Sequence, residues 1–240
     1  MIENNPLQFT SQISFELSNL CNLTSIHQRC PLNFSSILAK GKVILPSWVI
    51  YKTVDELAKY EYKETVSFNI YNEPTNDPRL FMFIKYVKEN SNARTFIITN
   101  GTYLNQQMVD ELYEAGLDIL WISSYSGALE REFNSFAYPE GLQYQVLENA
   151  PLQIISDTYD RDYLDWTLPC HSPLGQINIR SNGNVVLCCR DYESRHKFGN
   201  LHDESLIDVI QKSPMQNIYD HLIKGDRSIL DICRRCNTSF

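Results

Sequence analysis

The chain has no apolar run approaching the ~18–20 residues that a membrane-spanning helix needs, and its Lys and Arg residues do not gather into a block. With 21 basic against 29 acidic residues the formal charge is −8. A nucleic-acid partner, which draws on concentrated positive charge, is therefore not expected, and neither is a membrane. The opening residues Met1–Pro6 lack the positive and apolar regions of a secretory signal. No short-period tandem repeat appears, which excludes the solenoid architectures. Seven cysteines make an odd count in tight local pairs, with no secretion signal, so a disulfide framework is not the reading. Metal-bound thiolates in a reducing compartment fit better, and the expected location is cytoplasmic. A length of 240 residues, 43% hydrophobic and 21% charged, suits one large domain or a domain with an appendage.

What is present is a strand–helix rhythm. Ile13–Leu17 reads as a first strand. Ser47 is placed to cap a helix whose Ile50, Val54, Leu57 and Ala58 share one face. Val66, Phe68 and Ile70 alternate as a second strand, and Asp77-Pro78 starts a helix with Leu80, Phe83, Ile84 and Val87 as its buried stripe. Phe96–Ile98 is a short strand of the kind covered on both faces. Asn105 caps a further helix that carries Met108, Leu112 and Ala115 and stops at Gly116. Ile119–Ile122 is a fourth strand, and Leu152–Ile155 is the candidate fifth. Alternating strands and helices imply a parallel sheet with right-handed crossovers. Four or five units are too few for eight, so the expected class is α/β, an abridged TIM-like barrel with its chemistry beyond the strand C-termini.

The stretch from Ala128 to Thr167 has no clean periodicity; its Arg131 and Arg161, with the nearby Tyr125 and Tyr144, are candidates to face a substrate. Composition shifts near Pro169. Asn182-Gly183 marks a hairpin between Gln176–Arg180 and Val185–Cys189. Helices follow over Ser205–Ile210 and around Met215, Ile218, Tyr219 and Leu222. The expected division is residues 1–168 as the barrel part and 169–240 as a small unit of hairpin plus helices.

The chemistry-bearing residues fall into two groups. Cys21, His27 and Cys30 sit just after the first strand, and thiolate with imidazole is a ligand set for iron–sulfur clusters or zinc. Cys170, Cys188, Cys233 and Cys236 form the second group, four thiolates that close a site serving either metal by ligand type alone. Cys189, next to Cys188 on an alternating strand, points to the other face; a swap of the two as ligand stays open.

In order and spacing these motifs resemble the radical SAM superfamily. The loop Cys21-x5-His27-x2-Cys30 stands where that family has C-x3-C-x2-C, with His27 in place of the middle cysteine and the first step stretched. Tyr71-Asn72-Glu73-Pro74 resembles its Gly-Gly-Glu-Pro signature, and Thr99-Asn100-Gly101, Glu114-Ala115-Gly116-Leu117-Asp118 and Ile122-Ser123 resemble its later strand-end run. Cys170-x12-Gly183-x4-Cys188, with Cys233-x2-Cys236, is similar to the auxiliary-cluster region of the SPASM/Twitch branch, in its shorter, single-cluster Twitch form. The compact layout is most similar to the Twitch-type dehydrogenases of aminocyclitols.

The resemblance implies two 4Fe-4S clusters and S-adenosyl-L-methionine as cofactors. Cys21, His27 and Cys30 would hold the first cluster; Asn72, Glu73, Thr99, Asn100 and Ser123 would contact S-adenosylmethionine; Cys170, Cys188, Cys233 and Cys236 would hold the second. The implied activity is oxidation of a small polar molecule such as an amino sugar or cyclitol, with electrons from a flavodoxin or ferredoxin. Alternatives are modification of a ribosomally made peptide, against which the short segment before the first strand leans, and a non-catalytic zinc or iron–sulfur protein on a degenerate scaffold. His27 itself reads as third ligand, as bystander, or as an ordinary loop histidine.

Overall fold

The computed structural model describes residues 5–27, 30–34, 41–125, 133–150, 162 and 167–237. Eight strands form one sheet in the order β5-β4-β3-β2-β1-β6-β7-β8. The first five are β1 (Gln12–Phe15), β2 (Thr65–Ser67), β3 (Arg94–Thr99), β4 (Ile119–Tyr125) and β5 (Gln143–Ala150). Each pairs in parallel with the next, so every return of the chain crosses over the sheet. The crossovers are α1 (Pro31–Phe34) and α2 (Ser47–Lys59), then α3 (Leu80–Asn90) and α4 (Gln106–Glu114). Two edges remain, so this is an open partial barrel, as the strand count implies.

Period-two patterning explains which face the helices cover. Ile13 and Phe15 of β1, with Val66 and Phe68 at β2, are fully buried beneath α2 and α3. Phe68 joins Phe15 to Phe83 of α3 through two ring contacts of 6.2 Å. The alternate positions are polar. Ser14 and Ser67 lie side by side, their hydroxyls 2.9 Å apart, and Asn178 is Ser14's partner on the other flank. One sheet face is thus a hydrocarbon core and the other a hydrogen-bonded floor.

Helix boundaries follow local chemistry, with two departures from expectation. Asn105 accepts from the Met108 amide and caps α4, and Gly116 ends it at φ 102°. Ser47 is the first helical residue of α2 rather than its cap; Pro46 takes the cap position with no side-chain bond. Asp77-Pro78 precede α3, which begins two residues later at Leu80; the Asp77 carboxylate accepts from the Arg79 amide at 3.0 Å and grips its guanidinium at 2.7 and 2.9 Å, and Arg79 stands at the cap. The fifth strand runs earlier than expected, over Gln143–Ala150, because Gln143–Leu147 complete the ladder on β4; Leu152–Ile155 lie outside the described residues.

The hairpin β6 (Gln176–Ile179) and β7 (Asn184–Val186) does not stand apart from this sheet. β6 pairs in parallel with β1 over Gln12–Phe15, and β8 (Lys197–Asn200) closes an antiparallel edge on β7. Gly183, at φ 81°, makes the turn; an added Cβ would meet Asn200 and His202 within 3 Å. The short helices α5 (Leu206–Ile210), α6 (Ser213–Leu222) and α7 (Asp231–Arg235) finish the chain.

Candidate functional site

The loop after β1 is tied down before it reaches its first cysteine. The Asn19 amide donates to the Val43 carbonyl, and its side chain donates to the Gly41 carbonyl at 2.9 Å and accepts from the Val43 amide at 2.8 Å. Leu20 accepts from the Glu73 amide, which ties the loop to the exit of β2. Two turns follow: Thr24 bonds back to the Cys21 carbonyl, and the His27 amide bonds back to Leu23. Asn33 then holds the carbonyls of both Thr24 and His27 at 2.9 Å, which draws Cys30 toward the turn. Three donors separated by nine residues are thereby folded onto one wall.

That wall belongs to a cavity of roughly 560 Å³, its mouth included, at the C-terminal ends of β1 to β4. Cys21, His27 and Cys30 line it together with Asn72, Glu73, Thr99, Asn100 and Ser123, so all eight sequence candidates for this site meet there. The His27 ring is buried, its Nε2 has no hydrogen-bond partner among the described residues, and the ring packs edge-on against Tyr125 with centroids 4.7 Å apart. Burial pulls its pKa below the usual imidazole value, which favours the neutral, metal-binding form of the ring. Burial pushes the thiols the other way, Cys21 to about 11 and Cys30 also upward. An arriving metal would displace their protons and supply the partner that His27 lacks. The donor set therefore fits a cluster bound through sulfur, nitrogen and sulfur.

The strand-end polar groups are positioned by one another. Glu73 receives four bonds: Thr99 Oγ1 at 2.6 Å, Thr75 Oγ1 at 2.6 Å, the Thr75 amide at 3.1 Å and the Asn100 amide at 2.7 Å. Burial raises its pKa while these donors oppose the rise. Its carboxylate is thus the brace that holds β3's exit against β2's. Asn72 bonds its own turn, to the Ile70 amide and the Phe68 carbonyl. Asn100 donates to Asn22 at 2.8 Å and approaches Cys21 Sγ at 3.9 Å, which joins the β3 exit to the cysteine loop.

The second thiol group meets about as well. Cys170, Cys188, Cys233 and Cys236 all line a separate cavity of roughly 340 Å³. Cys188 is among its walls and Cys189 is not; the strand ends at Val186, short of the expected Cys189, so both cysteines lie beyond it. Cys233 sits in α7, and the Cys236 amide bonds back to Cys233, so the C-x2-C step is one helical turn and its exit. Burial pushes Cys188 well above the usual thiol range and Cys233 up to about 12. Among the described residues no three His, Cys, Asp or Glu side chains converge tightly enough for one metal ion; the four thiols frame a space.

Residues 170–237, which span these four cysteines, match the SPASM iron–sulfur cluster-binding domain. Over 236 residues the chain is 23% identical to the S-adenosyl-L-methionine-dependent 2-deoxy-scyllo-inosamine dehydrogenase of Niallia circulans, covering 95% of this chain and 92% of that one. The structure of BtrN in complex with AdoMet and 2-DOIA superposes with a TM-score of 0.76 at 21% identity, over 95% of this chain and 93% of BtrN. That of anSMEcpe with bound AdoMet does so at 0.58 and 12%, over 96% and 88%. This is a radical SAM fold with a SPASM-type cluster region.

Within that radical SAM frame, several functional neighbours were not legible as such from sequence. Tyr71 lines the first cavity, and its hydroxyl donates to the backbone carbonyl of Cys189, beside the second. The Arg180 guanidinium lies over the Tyr71 ring, 4.6 Å from its centre. Arg180 is itself held by Glu16 at 2.9 Å, by the Tyr192 carbonyl and by Ser194. Glu16 also accepts from the Ser181 amide. One buried constellation thus links the ends of β1, β2 and β6 to the loop that carries Cys188. Of the candidate substrate-facing residues, Tyr125 lines the first cavity, whereas Tyr144 is half exposed and stacks on Tyr138 at 3.6 Å. Tyr144 is drawn there by that ring contact and not to the cavity. Arg131 and Arg161 lie outside the described residues.

Proposed function

We propose that this chain is a radical SAM oxidoreductase that dehydrogenates a small polar substrate such as an amino sugar or cyclitol. The observation that carries the reading is the convergence of Cys21, His27 and Cys30 with Asn72, Glu73, Thr99, Asn100 and Ser123 on one cavity, while four further thiols frame a second. A reduced cluster in the first cavity, when bound with S-adenosylmethionine, supplies the hydrogen-abstracting 5′-deoxyadenosyl radical. The protein's own part is to hold and orient. Cys21, His27 and Cys30 would hold that cluster through sulfur, nitrogen and sulfur. Thr99, Asn100 and Ser123 present polar groups at the strand ends toward its ribose and carboxylate. Glu73, committed to four protein donors, keeps the walls of that pocket in register. Cys170, Cys188, Cys233 and Cys236 would be the ligands of a second, fully thiolate cluster, which would supply an electron acceptor there.

The dehydrogenase reading is supported by the full-length likeness to the 2-deoxy-scyllo-inosamine enzyme. By role, the division falls at residues 168/169, with radical generation before it and electron acceptance after it, although one sheet runs through both. A flavodoxin or ferredoxin would be the electron donor. The test is anaerobic reconstitution with iron and sulfide, then incubation with S-adenosylmethionine, a reductant and a panel of aminocyclitols and amino sugars. The expected result is 5′-deoxyadenosine together with a carbonyl product two hydrogens lighter than its substrate. Absence of 5′-deoxyadenosine from fully loaded protein would refute the reading.

A further inference from the structure

We propose that Arg227 is a charge-compensating residue for the C-terminal cluster, one that raises its reduction potential and so makes it a competent electron acceptor. The inference rests on the reading of Cys170, Cys188, Cys233 and Cys236 as cluster ligands. It starts from the composition of the two cavities. Among the described residues, the lining of the first contains a carboxylate, Glu73, and neither Lys nor Arg. Among the described residues, the lining of the second contains two arginines, Arg190 and Arg227, and no carboxylate, the nearby Asp191 acting on Cys233 from outside that lining. The remaining walls of the second cavity are the thiols, Ser172 and the apolar Leu187, Leu222 and Ile232.

Arg227 is the unusual member, because only 4% of it is exposed. A guanidinium taken that far from water needs negative charge or good acceptors nearby. Its Nε donates to the Leu168 carbonyl at 3.1 Å, which fixes the head of the side chain against the cavity rim. Its turn is equally constrained. Asp226 accepts from the Ser228 amide and hydroxyl at 3.0 and 2.6 Å and pairs with His221 at 2.7 Å. Just before it, Gly225 at φ 81° passes so close to Thr167 that a Cβ would lie 2.0 Å from the Thr167 carbonyl oxygen. A dense set of local contacts thus delivers one cation to a pocket of sulfur ligands.

The consequence is electrostatic. A 4Fe-4S unit held by four thiolates is an anion, and taking up one electron makes it more negative by one charge. A buried cation at its wall favours the reduced form over the oxidised one, and it does so more strongly than in water because screening is weak there. Outer residues of this kind tune a metal site without touching the metal. Arg190 is partly exposed, so solvent screens its share.

The test is a redox titration followed by EPR on the full-length chain, with Cys21→Ala and Cys30→Ala so that the C-terminal cluster is seen alone. Arg227→Gln is expected to weaken electron uptake at least tenfold, a midpoint lowered by about 59 mV or more for one electron. Arg227→Lys should stay near the parent, and Arg190→Gln should move less than Arg227→Gln. A Gln variant that loads no iron while the Lys variant loads normally at the parent's midpoint supports the proposal as well. Equal midpoints for parent and Arg227→Gln would overturn it, as would a Lys variant shifted as far as the Gln variant, or failure of both to load. A parent that binds zinc at these cysteines would refute the cluster reading itself, and the inference with it.

Discussion

Replacing Arg180 with Met tests whether the Glu16–Arg180 pair is what locks the sheet floor to the second cysteine loop. Both side chains are buried, 1% and 0% exposed, and 2.9 Å apart. Removing the guanidinium leaves the Glu16 carboxylate in a dry interior, with the Ser181 amide still donating to it. It also strips partners from the Tyr192 carbonyl, the Ser194 hydroxyl and the Tyr71 ring. Breaking a buried pair on one side costs about 3–5 kcal/mol, and Arg180→Met should fall in that range. Glu16→Leu should cost a similar amount, since it leaves the guanidinium uncompensated. The double variant should be much less harmful than the sum, because replacing both ends of such a pair by apolar groups is often close to neutral. Urea unfolding of the metal-free, reduced protein gives all four corners of the cycle, with a coupling of about 2 kcal/mol or more expected. Additive single effects, or an Arg180→Met cost below about 1 kcal/mol, would refute the reasoning.

Glu56 bonds the Leu206 and Ile207 amides at the start of α5, and burial raises its pKa above the ordinary 4.5. The folded state therefore holds that proton more tightly than the unfolded state, and this contribution is present below pH 4.5 and lost as pH rises through the raised value. Glu56→Gln, which cannot ionise, should gain on the parent between pH 4.5 and 7 in urea unfolding; a constant difference would contradict this. Gly225→Ala should cost at least about 2 kcal/mol, from its positive φ and the Thr167 clash, and should disturb the Arg227 turn. A variant as stable as the parent would place that turn elsewhere. Cys189→Ser should leave the iron content of both sites unchanged, because only its backbone serves the bridge to Tyr71; loss of C-terminal iron would make Cys189 the ligand in place of Cys188.

The parallel units were legible because their apolar periods are clean: Ile13 and Phe15, Val66 and Phe68, and the α3 stripe of Leu80, Phe83, Ile84 and Val87 all lie buried in the core. The candidates that line the first cavity were legible because each lies at or beyond the C-terminal end of a strand, and strands in register bring their exits together. What the sequence did not reveal was long-range. Nothing near Gln176 says that β6 will pair with β1, some 160 residues earlier, so the hairpin read as a separate unit. A signal was nevertheless there. Gln12, Ser14 and Glu16 alternate with apolar residues, and so do Gln176, Asn178 and Arg180; the partnership of Ser14 with Asn178 carries Glu16 to Arg180 two residues on. Opposite charges at matching places in two alternating strands were the hint that one polar face is shared. Tyr71 was quoted only as part of a turn motif, since its contacts with Arg180 and Cys189 lie more than a hundred residues away. Arg227 gave no warning at all, because a charged residue in a short polar turn ordinarily faces water.

The most direct measurement compares iron content and EPR spectra of anaerobically reconstituted parent and His27→Ala. The account predicts about eight irons per chain in the parent, as two 4Fe-4S sites, and about four in the variant. The signal lost should be the one that S-adenosylmethionine perturbs, and 5′-deoxyadenosine formation should go with it. Equal iron in the two proteins, with the cofactor-sensitive signal intact in His27→Ala, would contradict the claim that this imidazole completes the ligand set.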